Sequence, residues 1–129
     1  MTIESTPPRL ILLIENDSDS CTALTRLLEG HGLTVRCAAT VAEALAQLAC
    51  NPTHIILDLM LPDGSGLIVL QYIRATTPWM KVAILSGWVT PLLKDSAQPD
   101  LILKNRTDLD RLMDWLREAY EPDTSPAVG

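Results

Sequence analysis

The sequence predicts a doubly wound α/β domain, a five-stranded parallel sheet with helices on both faces. Three observations carry the prediction. Short apolar runs of strand length, Leu10–Ile14 and Ile55–Leu57 foremost, have the composition of strands buried on both faces. Between such runs lie stretches with apolar residues at three- and four-residue spacing. The two patterns alternate along the chain, five strands with five helices, as parallel strands joined by helical crossovers require.

Arg9–Ile14 is the first strand and runs into Glu15-Asn16-Asp17. From Asp19 to Glu29, Ala23, Leu24, Leu27 and Leu28 repeat at helical spacing, and Gly30 and Gly32 supply the stop. Leu33–Ala38 is a short second strand. Thr40 suits the cap of a second helix, Glu43 completes a capping box, and the stripe Val41, Ala44, Leu45, Leu48 ends at Asn51-Pro52. His54–Asp58 is the third strand, followed by a helix from Gly66 to Thr76 that Thr77-Pro78 breaks. Lys81–Ser86 is the fourth strand. Thr90-Pro91 reads as an N-cap with proline at the first helical position, opening a helix that Pro99 confines to about Ala97. Leu101–Leu103 is the fifth strand. Asp108–Tyr120 closes the domain as a helix with Leu109, Leu112, Met113, Leu116 and Tyr120 along one face. The polar, proline-containing ends, residues 1–8 and 121–129, are expected to be disordered tails around a domain spanning 9–120.

At 129 residues the chain can bury one full core and is too short for two domains. Its 47% hydrophobic and 20% charged residues are those of a globular protein. No apolar run approaches membrane-spanning length, and no basic region followed by an apolar core opens the chain. No membrane partner is expected, and the expected location is cytoplasmic. A net charge of −6 without a Lys/Arg cluster argues against direct nucleic-acid binding. Cys21, Cys37 and Cys50 are odd in number and lack CxxC spacing; they are expected as small core or surface residues of a reducing compartment, without metal or redox roles. Trp115 lies off the apolar stripe of the last helix and Trp88 follows the Ser86-Gly87 turn. Such a Trp more often covers the edge of a core, but Trp115 is weighed as a partner contact because Trp is enriched at binding hot spots.

The functional signal lies at the strand ends. An open α/β sheet holds its ligands at the carboxyl ends of its strands. At those ends of the first, third, fourth and fifth strands stand Glu15/Asn16, Asp58, Ser86 and Lys104. Each alone has a plain structural meaning: a strand-capping Asp, a turn Ser before Gly87, a surface Lys. His31, between glycines at a helix end, and His54, opening a strand, stay outside the set and read as structural or solvated.

With "ILLIEND", "ILDLMLPDGSGL" and "AILSG" in this order ahead of Lys104, the chain resembles the receiver domain of two-component response regulators over nearly all of Arg9–Tyr120. The resemblance implies the flavodoxin-like strand order 2-1-3-4-5. It implies that Asp58 accepts a phosphoryl group as an acyl phosphate. It further implies Mg²⁺ held by the carboxylates of Glu15 and Asp58, by Asn16 at the second acidic position and by the Met60 carbonyl. Lys104 would pair with one phosphoryl oxygen and the Ser86 hydroxyl would donate to another, and Gly64 and Gly66 would let the loop after Asp58 turn tightly. The expected phosphodonor is a histidine kinase or phosphotransfer protein. No DNA-binding or catalytic segment follows Tyr120, so the expected output is contact with an unknown protein or a second copy of the chain in a homodimer. The domain is expected to be a phosphorylation-controlled switch and not an enzyme.

Four departures from the family pattern bear on that expectation. Asn16 stands where a second acid is usual, which removes a charge from the metal site; Asp17, one residue on, is positioned to compensate. Asn105 replaces the proline that usually follows the lysine. Leu101 replaces the aromatic switch residue, in a chain that has no Phe. The 18 residues from Ser86 to Lys104 are fewer than the family's usual spacing, which shortens the fourth helix. These departures support an alternative, a degenerate receiver serving as a phosphorylation-independent protein-binding or dimerisation module. A hydrolase with Asp58 as nucleophile fits poorly, because Met60 stands where an acid would be wanted. A flavodoxin-type carrier fits poorly because the first turn is Glu-Asn-Asp, not a phosphate cradle.

Overall fold

Alternate residues of a strand face opposite sides of its sheet, and here that alternation decides which helix covers which face. The computed structural model of the chain describes residues 9–85, 97–103 and 108–118. In order these form β1 (Leu10–Ile14), α1 (Ser18–Glu29), β2 (Thr34–Ala38) and α2 (Val41–Gln47), the last extended by a 3₁₀ turn at Leu48–Cys50. There follow β3 (His54–Asp58), a small hairpin of β4 (Met60–Leu61) and β5 (Gly64–Ser65), and α3 (Leu67–Thr76). β6 (Lys81–Leu85), β7 (Leu101–Leu103) and α4 (Leu109–Arg117) complete the described chain. The five long strands pair in parallel in the order β2-β1-β3-β6-β7, with the hairpin apart. This is the expected order 2-1-3-4-5 once the hairpin strands are counted.

Leu12, Ile14, Ile55, Leu57, Val82 and Ile84 line one face and pack on Ala44 of α2 and Val69, Leu70 and Ile73 of α3. The intervening residues Ile11, Leu13, Ile56, Ala83 and Leu85 line the other, with Leu28 of α1 and Leu112, Met113, Trp115 and Leu116 of α4. A fully buried side chain such as Leu28 contributes roughly 1.5–3 kcal/mol, so a register slip in any central strand would cost many times that. β2, at the edge, has only Ala38 buried.

The caps form largely as the sequence indicates. Asp17 accepts the Ser20 amide at the start of α1 (2.8 Å). Thr40 Oγ1 accepts the Glu43 amide (3.0 Å), and Glu43 reaches past the cap residue to the Ala39 amide (2.8 Å). Asn51 closes the 3₁₀ turn in the left-handed region, φ 58°.

One weighed alternative falls away and one expectation is corrected. Trp115 covers the edge of the core, the commoner case, and is not available to a partner: it is 7% exposed and meets the His54 ring edge-on, centroids 5.1 Å apart. Cys21 and Cys37 are not separate thiols but form a disulfide, while Cys50 is free and exposed. The helix expected from Thr90, Trp88, Asn105, Tyr120 and both expected tails lie outside the described residues.

Candidate functional site

β1 and β3 are neighbours at the centre of the sheet, with Ile14 opposite Leu57. Glu15 and Asp58, the next residue of each, therefore reach the carboxyl edge side by side. Both are buried, at 4% and 5% exposure, and with His54 they are the buried polar residues among those described. Carboxylates are seldom buried this far unless they serve a partner or a site, and these two share one edge of the sheet.

Backbone amides orient both groups. Asp58 Oδ1 accepts the Met60 amide at 3.0 Å, and Glu15 Oε2 accepts the Asp17 amide at 3.0 Å. Each carboxylate is thus tied to the residue two positions on, a local turn that fixes where the side chain points. The Glu15 amide in turn donates to the Ala38 carbonyl at 2.9 Å, so the acidic loop is anchored on β2.

Asn16 is exposed beside them. Asp17, one residue on, is also exposed, and its Oδ2 accepts the Ser20 amide as the cap of α1. The Met60 side chain is 75% exposed, which leaves its expected role to the backbone carbonyl. Among the described residues no three His, Cys, Asp or Glu side chains come together as a metal cluster, so further ligands would have to be backbone or amide oxygens. Leu85 lies opposite Asp58 and Leu103 opposite Leu85. Ser86 and Lys104, next in sequence after those two, lie outside the described residues.

The two loop glycines serve different ends. Gly64 has φ +154°, a conformation that other residues rarely adopt. Gly66 has ordinary dihedrals (φ −60°), but a Cβ there would sit 2.4 Å from the Asp58 carbonyl oxygen and 3.0 Å from Leu59 Cα. α3 begins against the backbone of Asp58 itself, which only glycine permits. The sequence reading missed Asp63, whose carboxylate accepts the Val41 amide at 2.7 Å and the Ala42 amide at 3.1 Å. Those amides hold its pKa below the usual carboxylate value and tie the hairpin to the start of α2. The Asp-Gly pair in the hairpin turn was the available signal, but it suggests a turn, not a long-range cap.

The family model for the response regulator receiver domain matches residues 11–113. The chain belongs to that family. This receiver is 34% identical over 83 residues to the acid tolerance regulatory protein ActR of Rhizobium meliloti, a match covering 64% of the chain and 43% of ActR. It spans less than half the length of the curated relatives it matches. Among solved structures, a CheY-like receiver domain protein from Methanospirillum hungatei superposes with a TM-score of 0.77 at 24% identity, over 87% of this chain and 93% of the other. The response regulator TrrA of Thermotoga maritima, solved with Mg²⁺ and BeF, gives 0.74 at 23% identity over 84% and 96%. These likenesses show the fold. No helix among the described residues is long and apolar enough to cross a membrane.

Proposed function

We propose that this receiver takes a phosphoryl group on Asp58 from a histidine kinase or phosphotransfer protein and acts as a switch on a protein partner. The observation that supports it most is the pair of buried carboxylates, Glu15 and Asp58, emerging together from the two central strands. In the transfer the Asp58 carboxylate forms the new P–O bond while the P–N bond to the donor imidazole breaks; its electron pair stays on that nitrogen, and the ring, protonated on its other nitrogen, leaves as neutral histidine. The Met60 amide orients the attacking carboxylate, and Gly66 holds the backbone that carries it.

The donor set fits a hard divalent cation: two carboxylates, the Asn16 side-chain carbonyl and the Met60 backbone carbonyl are all oxygens, as Mg²⁺ prefers. Mg²⁺, when bound, would neutralise charge on the transferring oxygens. Ser86 and Lys104 would supply the remaining hydrogen bond and positive charge. The domain would serve as a signalling module and not as an enzyme, and the cytoplasm is where such a donor would meet it.

One observation favours the second reading, a phosphorylation-independent binding or dimerisation module. Asn16, exposed at the second acidic position, is neutral, so that position offers a cation less charge than a second acid would. The two readings separate on intact mass after incubation with a small-molecule phosphodonor and Mg²⁺, beside an Asp58→Ala control. A single phosphoryl adduct absent from the control supports the phosphoacceptor. No adduct from the small donor or from any cognate kinase would assign the module role.

A further inference from the structure

The acidic loop is enclosed in a ring of bonds, and one link of that ring is redox-active. Starting from Cys37, the chain passes to Ala38, whose carbonyl accepts the Glu15 amide (2.9 Å). Glu15 Oε2 accepts the Asp17 amide, and the Asp17 carbonyl accepts the Cys21 amide (2.9 Å). The Cys21–Cys37 disulfide, 16 residues apart in sequence, closes the circuit. Cys37 is on an edge strand and exposed, so small thiols reach it. Thr25, one turn along α1 from Cys21, places its Oγ1 3.4 Å from the Cys37 sulfur, where its hydroxyl can donate to a thiolate.

We propose that Cys21 and Cys37 are a reversible redox-modification site for low-molecular-weight disulfides and thiols of the glutathione class, and that oxidation clamps the Glu15-Asn16-Asp17 loop. The Cys37 thiolate attacks one sulfur of the small disulfide, forming a mixed disulfide and expelling one small thiolate. The Cys21 thiolate then attacks Cys37 and expels the second. Two electrons pass from the protein dithiol to the small disulfide, and its two protons end on the two small thiols released. Closing the link removes freedom from the loop ends, and Glu15 is held in its cation-facing position. The consequence for cation binding rests on the phosphoacceptor reading; the pairing and the clamp do not.

The test uses the full chain carrying Cys50→Ser, incubated with oxidised glutathione or with dithiothreitol. Alkylation with intact mass and peptide mapping reads the pairing, and amide hydrogen exchange reads the clamp. Oxidation is expected to hide both thiols in a mapped Cys21–Cys37 link and to slow exchange of the Asp17 and Cys21 amides by about tenfold or more, reversibly. Unlinked glutathione adducts, or thiols that stay alkylatable, would overturn the pairing. A mapped link with unchanged exchange would overturn the clamp. Calorimetric titration with Mg²⁺ is expected to show severalfold tighter binding to the oxidised form. Mg²⁺ binding to neither form would count against the phosphoacceptor reading, with the redox site still decided by mapping and exchange.

Discussion

The two edges of the sheet handle polar groups in opposite ways. At the carboxyl edge, the Glu15 and Asp58 carboxylates are buried at neighbouring strand ends, and each accepts the amide of the residue two positions on. At the amino edge, polar groups neutralise one another. Arg74 donates to the Gln98, Pro78 and Met80 carbonyls and pairs with Asp100 at 3.0 Å, while Asp100 also accepts the Val82 amide. His54 is buried under Trp115, and Arg9 donates to the Leu116 carbonyl. Carboxylates gathered at the strand ends mark an edge kept for chemistry, and the links that Arg74 and Asp100 make between segments mark one kept for stability. Substitutions at the first should alter phosphoryl uptake and those at the second only stability.

The largest effect is expected from Gly66→Ala. The new methyl meets backbone, which has no rotamer to yield, so either α3 or the Asp58 strand end must move. A loss of about 2–4 kcal/mol in urea unfolding is expected, as for overpacking at a fixed contact. Phosphoryl uptake should fall with it, because the displaced backbone carries the acceptor. Wild-type stability in this variant would show that the close approach is not real.

His54 should set the pH response of the amino edge. Burial, with Arg9 and Lys81 nearby, lowers its pKa to about 4 from 6.5. The Thr53 hydroxyl donates to the Leu10 carbonyl, so His54 Nδ1 carries the proton in the 2.9 Å contact between them. Between pH 6.5 and about 4 the unfolded chain binds more protons than the folded one. The stability His54 allows is therefore complete above 6.5 and lost as pH falls towards 4. A loss of about 2 kcal/mol over that window is expected for wild type, and a flatter profile for His54→Phe. Parallel profiles would place the acid sensitivity elsewhere.

Arg74→Ala should come next, costing about 1–2 kcal/mol through the unpaired carbonyls and Asp100, with phosphoryl uptake unchanged. A loss of uptake matching the loss of stability would erase the division between the edges.

The same division explains what the sequence disclosed. β3 and β7 have the bounds read from the sequence, and Thr40 and Asn51 occupy the cap and stop positions expected of them, whereas the cap that Asp17 gives α1 was not read. Local signals of that kind survive folding because they act within a few residues. Glu15 and Asp58 were legible through strand ends alone, given the sheet order. Whether Trp115 covered the core or met a partner stayed open in the sequence, because a helical stripe gives direction but not depth. The ring of His54, from a strand far off in sequence, covers it. The Cys21–Cys37 link was invisible for the same reason, since α1 and β2 meet only once β2 lies beside β1. Gly66 was recognised as a turn residue, but its cause, a carbonyl eight residues back, is a tertiary contact.

Asp63 gives the smallest expected effect and the finest test of the comparison, because it belongs to the carboxyl edge yet carries no chemistry. Its carboxylate is exposed, and its pKa is depressed by the Val41 amide first and the Ala42 amide after it. The folded group therefore stays ionised below the ordinary 3.8, and its contribution is complete above that value and lost as pH falls beneath it. The stability that His54 allows begins to be lost as pH falls through 6.5, so acidification should weaken the amino edge before the hairpin-to-α2 tie is touched. Amide spectra of Val41 and Ala42 followed from pH 7 downward should hold steady across the upper part of the His54 window, from pH 6.5 to 5, and move only in the acid range below 3.8. Asp63→Asn keeps one acceptor oxygen and should shift the Ala42 amide more than the Val41 amide, whereas Asp63→Ala should release both. Movement of these amides between pH 6.5 and 5, where only the amino edge should be losing stability, would mean that the two edges respond as one unit, and the separation drawn between them would fail.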